Sequence, residues 1–161
     1  MLHVGSRRFQ AFVLTAWAAG GLAVAVAHGV EITKTGGIAV VVNADNPFPR
    51  PLPISSLRAL FLGDTRRLGG QKALPATTQD KEALATFYAT ILDTNESAFK
   101  SHWLKKVFSD GLQPPIQMQS SADLLDWVRR TPNAVAVVPA RDALNKKGEP
   151  WPGLAVVLVI R

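Results

Sequence analysis

Residues 38–63 read IAVVVNADNPFPRPLPISSLRALFLG, and the three parts of this stretch ask for three different backbones. Ile38-Ala39-Val40-Val41-Val42-Asn43 is an unbroken, largely β-branched apolar run. A strand with one wet face would alternate, so this run predicts a strand covered on both faces. Pro47, Pro49, Pro51 and Pro53 follow; they withhold amide donors and bias the residues before them away from helix, so this crossing is irregular. Ser55 or Ser56 then caps a helix whose Leu57, Leu60 and Phe61 share one face, and Gly63 stops it.

Upstream, Arg7 and Arg8 give a basic start, and Ala11 to Ala27 is an uncharged, mostly apolar run ending in Ala25-Val26-Ala27. That small-x-small ending predicts a signal peptide over residues 1–27 with the cut after Ala27. The rival is an uncleaved membrane anchor, for which the run is slightly shorter than the roughly 20 residues that span a bilayer. Ser6-Arg7-Arg8-Phe9 hints at a twin-arginine signal but places the phenylalanine one position early, which leaves the export route open. His28 would begin the mature chain, where it is at most an adventitious metal ligand.

Removing 27 of the 161 residues leaves one domain, 28–161, long enough for a single core. The chain carries 18 Lys and Arg against 12 Asp and Glu; without Arg7 and Arg8 the balance is 16 against 12, or +4. That mild excess suits anionic ligands but is also ordinary for an exported protein. There is no cysteine, which excludes disulfides, thiolate metal sites and cysteine nucleophiles. The basic residues are too scattered for a nucleic-acid stripe.

Downstream, residues 64–70 read as a polar loop bearing Arg66 and Arg67, before a short extended stretch near Ala73 to Thr77. Leu84, Phe87, Tyr88, Ile91 and Leu92 recur at helical steps, with Thr78 or Asp80 available as the cap. A second helix from about Ser97 puts Phe99, Trp103 and Val107 on one stripe, widened by Leu104 and Phe108. Asp110-Gly111 ends it, and Pro114-Pro115 keeps the next stretch extended. Ser120-Ser121-Ala122-Asp123 opens a helix with Leu124, Leu125 and Val128 on its apolar face and Arg129-Arg130 at its end. Ala134 to Val138 and Leu154 to Ile160 are two more apolar strands. Such strands alternating with amphipathic helices predict an α/β layer with a parallel or mixed sheet.

The order of strand, proline crossing and Phe61-Leu62-Gly63 helix resembles the second lobe of periplasmic phosphate-binding proteins, the solute receptors of ABC transporters. Trp103 to Phe108, Gly111 and Pro114-Pro115 are similar to a segment of a short, single-lobe group of such proteins. Thr131-Pro132-Asn133-Ala134-Val135-Ala136-Val137-Val138 is similar to the family's approach to a late strand. The resemblance implies a single lobe of the type 2 periplasmic-binding-protein-like fold, a periplasmic address, and inorganic phosphate or a similar small anion as ligand. It also implies a membrane transporter or sensor of phosphate uptake as partner, and no cofactor.

The departures bear on function. The family's anion-holding first lobe has no counterpart in residues 28–161. With Phe87 aligned, Thr77 stands where the receptors carry an arginine, and Lys81, Glu82 and Ala83 stand at their Ser-Gly-Thr. The candidate anion-binding residues are therefore Thr77, Thr78 and Lys81 at a helix N-terminus, with Arg66 and Arg67 as a second basic locus. The plain alternative is that Thr78 or Asp80 caps the helix and that the arginines are solvated. His102 has no second ligand at metal spacing, and no serine lies in a Gly-x-Ser-x-Gly setting, so neither a metal site nor an enzyme is expected. Two readings remain: an exported module binding phosphate or another small anion weakly, or an interaction module that keeps the lobe without the ligand. A homodimer, in which a second copy supplies the missing half of the cleft, stays open.

Overall fold

A computed structural model describes residues 37–46 and 48–161. The expected signal segment and its cut after Ala27 lie outside these residues. Twelve elements follow in chain order: β1 (Ile38–Asn43), α1 (Ile54–Phe61), β2 (Arg67–Leu68), β3 (Gln71–Lys72), β4 (Leu74–Thr78), α2 (Lys81–Thr90), α3 (Glu96–Asp110), β5 (Ile116–Met118), α4 (Ser121–Arg130), β6 (Ala134–Pro139), α5 (Ala140–Ala143) and β7 (Leu154–Ile160). Five strands form one sheet in the order β5-β4-β6-β1-β7. β4 runs parallel to β5 and β6, while β1 is antiparallel to both β6 and β7. A mixed sheet results, with β1 alone reversed.

Every residue of β1 is buried, as the unbroken apolar run predicts. Ile38, Val40 and Val42 join a core with α1, α2 and α3, whereas Ala39 and Val41 join a second core with α4. The sheet is thus sandwiched between two helical layers, and period-two alternation sends successive side chains to opposite cores. β7 slips register opposite Val40 and Val41, a bulge that turns both Val157 and Leu158 toward the first core.

Several local expectations are corrected. Neither Ser55 nor Ser56 caps α1; both lie inside it, and Pro53 holds the cap position in extended conformation with no side-chain bond. The proline fixes that geometry itself, and its carbonyl accepts from the amides of Ser56 (3.1 Å) and Leu57 (3.2 Å). The polar stretch after α1 is not all loop, because β2 and β3 pair as a small hairpin. In α3, Phe99 and Trp103 are buried, but Val107, Leu104 and Phe108 are exposed, Phe108 by 82%. The stripe is apolar throughout, yet only its first half meets the core.

Two buried asparagines tie the proline crossing down. Asn43 Nδ2 donates at the end of α4 to the carbonyl of Arg129 (2.7 Å) and to that of Val128 (3.2 Å), which also receives the Thr131 amide. Asn46 Nδ2 donates to Pro132 O at 2.6 Å, and its Oδ1 accepts from the Phe48 amide at 2.7 Å.

Candidate functional site

The chain leaves β4 for one side of the sheet and returns through β5 and α4 to β6 on the other side of β4. The C-terminal ends of β4 and β6 therefore flank a topological switch point, the place where open α/β sheets hold ligands. Three of the predicted residues lie here. Thr77 and Thr78 end β4, and exposed Lys81 opens α2.

Asp80 occupies the N-terminus of α2. Its Oδ1 accepts from the Ala83 amide at 2.8 Å, and its Oδ2 accepts from Arg141 Nη2 at 2.5 Å. Asp80 is the cap, not Thr78, whose Oγ1 only receives the Asp80 amide at 3.3 Å. The Ala83 amide, assisted by the Arg141 guanidinium, holds the Asp80 carboxyl below the usual carboxylate range against a smaller effect of burial. An anion arriving at these amides would meet a negative charge already seated on them.

Arg141 follows β6 in α5 and was not among the sequence candidates. Nothing local marks it, since its partner is 61 residues away. Beside it lies a cleft of about 530 Å³ lined by Ser121, Leu125, Arg129, Asp142 and Trp151 among others. Ser121 Oγ donates to Asp142 Oδ2 at 2.6 Å, and Trp151 Nε1 donates to the Asp142 carbonyl at 3.1 Å. The cleft's polar groups largely satisfy one another.

The predicted arginine pair does not join this edge. Arg66 borders a smaller pocket of about 250 Å³ that reaches Leu74 and Pro75, at the opposite end of β4. Four residue steps of strand separate Leu74 from Thr78, about 13 Å. Arg67 is exposed and its Nε donates to Gly70 O at 2.8 Å within the hairpin. His102 is half-buried, with Nε2 2.8 Å from Leu62 O. Among the described residues no group of His, Asp and Glu could hold a metal ion.

Neither a family model nor a curated protein matches this chain. Solved structures do. An ABC-type phosphate transport receptor from Vibrio cholerae matches with a TM-score of 0.53 at 16% identity, over 76% of this chain and 45% of that one. The chain has the fold of one lobe of a type 2 periplasmic-binding protein. A possible phosphate binding protein from Planctomyces limnophilus DSM 3776 gives a TM-score of 0.49 at 13% identity, covering 76% of this chain and 40% of that one. The chain spans less than half the length of the Vibrio cholerae receptor. No helix among the described residues is long and apolar enough to cross a membrane.

Proposed function

We propose that this lobe is an exported solute-binding-type module, not an enzyme, whose switch-point edge takes phosphate or another small anion only weakly, in connection with ABC-type uptake or sensing. The observation that carries the reading is Asp80: its carboxylate sits on the α2 amides and pairs with Arg141. An incoming anion must compete with this tethered one for the same donors. Thr78 and Lys81 remain beside the contested amides and would contribute once Asp80 is neutralised. Thr77, Arg66 and Arg67 would add little, because Thr77 is buried and the arginines lie toward the other end of β4 or in the hairpin.

Calorimetry with inorganic phosphate on the wild type and on Asp80→Asn tests this. Asparagine is as good an N-cap as aspartate, so the variant removes the charge while keeping the helix start. Wild type should bind at about 1 mM or poorer, and the variant about tenfold tighter, the scale of one charge-assisted bond regained by Arg141. Micromolar binding by the wild-type monomer would overturn the weak site.

A second reading is favoured by a specific observation. Leu104 and Phe108, one turn apart on α3, expose 60% and 82% of their surface and border the same groove, a patch suited to a protein partner such as a membrane transporter or a second copy. Binding of phosphate by neither protein would favour this interaction module.

A further inference from the structure

The hollow of about 250 Å³ at the far end of β4 from Lys81 lies between the β2–β3 hairpin and the stretch that leads from α3 into β5. Pro75, Pro114 and Ile116 give it apolar walls that solvent reaches, Ile116 with 42% of its surface exposed. Arg66, Lys72 and Gln113 stand at the same hollow. All three are exposed, and among the described residues none of their side chains has a hydrogen-bond or ion-pair partner. No described carboxylate lines the hollow.

Cations elsewhere on the lobe are answered within it: Lys106 by Asp64, Arg129 by Asp126 and Arg141 by Asp80. Arg66 and Lys72 are not, and they share one small hollow without an acid between them. An anion seated there would relieve the repulsion of two like charges and accept from donors that now face only water. A bare anion would gain little, because attraction at an open rim is screened by solvent and salt. An anion with an apolar body would also cover Pro75, Pro114 and Ile116, and that burial is not screened. The charges and the walls together therefore select an organic anion over an inorganic one.

We propose that this hollow binds a small organic carboxylate, its apolar body against Pro75, Pro114 and Ile116 and its carboxylate held by Arg66 and Lys72, with the Gln113 amide as a further donor. The site is independent of the weak phosphate edge, since it uses neither the α2 amides nor Arg141.

The test uses benzoate and benzamide, probes alike in shape and different in one charge, with acetate carrying the charge without the ring. In NMR titrations of the purified chain, benzoate should move the amide signals of Lys72 and Ile116 and the side-chain amide of Gln113. It should bind about three- to tenfold more tightly than benzamide, the scale of a partly screened charge-assisted contact, and about tenfold more tightly than acetate, the scale of a ring half covered by apolar surface. Arg66→Gln combined with Lys72→Gln changes only exposed side chains and should leave the fold intact. The double variant should bring benzoate down to the level of benzamide and leave benzamide unchanged. Asp80→Asn should alter phosphate binding and not benzoate binding, which separates a failure here from a failure of the phosphate edge. Equal binding of benzoate and benzamide, a benzoate affinity untouched by the double variant, or shifts clustered at Lys81 and Arg141 would overturn the proposal. So would the absence of shifts with benzoate, or shifts at the hollow that follow protein concentration instead of probe, because solvent or a second copy would then be what answers the two cations.

Discussion

The indole of Trp103 closes over the backbone of Gly63, so that a Cβ built there would lie 2.6 Å from Trp103 Cη2. Gly63 also has φ of +74°, a conformation that L side chains adopt at a cost. The glycine that stops α1 is therefore also the one that lets α3 dock. Gly63→Ala should lose about 2 to 4 kcal/mol, combining the left-handed backbone with overpacking against a large ring. Urea denaturation measures it; a loss below 1 kcal/mol would mean that the indole moves away freely.

Trp103 does two jobs in that contact, filling the core and donating Nε1 to Phe61 O at 3.1 Å. That carbonyl sits at the end of α1 and has no intrahelical partner. Trp103→Ala should cost roughly 3 to 5 kcal/mol as an aromatic truncation. Trp103→Phe should keep most of the packing and lose about 1 to 3 kcal/mol for the orphaned acceptor. Equal midpoints for the phenylalanine variant and the wild type would show that the hydrogen bond contributes nothing.

Asp80 has its pKa lowered in the fold. A depressed folded pKa means that the ionised cap stabilises the protein fully above the unfolded value near 3.8, and that this contribution is lost as pH falls through the folded value. Wild type should thus exceed Asp80→Asn in stability at neutral pH by no more than about 1 kcal/mol, since Arg141 is half exposed. The two curves should converge only as pH falls below 3.8 and through the lowered folded value. Asp80→Ala should lose a further ~1 kcal/mol at every pH, because the cap itself is gone. A wild-type advantage that grows on acidification would contradict the assignment.

Phe108 is the most exposed large apolar side chain among the described residues. Phe108→Ser should leave the denaturation midpoint within about 0.5 kcal/mol of wild type. A loss of 2 kcal/mol or more, paired with a change in sedimentation, would reveal a second copy seated on α3.

Exported material should begin at His28, as the Ala25-Val26-Ala27 ending implies. Intact mass decides it, and a species that keeps residues 11–27 would be anchored instead.

Local pattern went far in this protein. The doubly buried β1, the starts of α2 and α4, and the stop at Gly111, with its φ of +63°, follow from periodicity and capping chemistry that act within a few residues. α1 shows the limit, because Ser55 and Ser56 are good caps that a proline-fixed backbone overrode. The five-residue strand β4, with its proline, gave only a vague extended signal, although it sits at the switch point. Sequence alone determined the α/β class, the apolar runs and the residues that can carry charge. Tertiary structure decided the strand order, the union of Asp80 with Arg141 across 61 residues, the separation of Arg66 from Lys81, and which half of the α3 stripe is buried. The reason is physical: period and caps are properties of neighbouring residues, whereas a site is made wherever chain reversal brings distant side chains to one edge of the sheet.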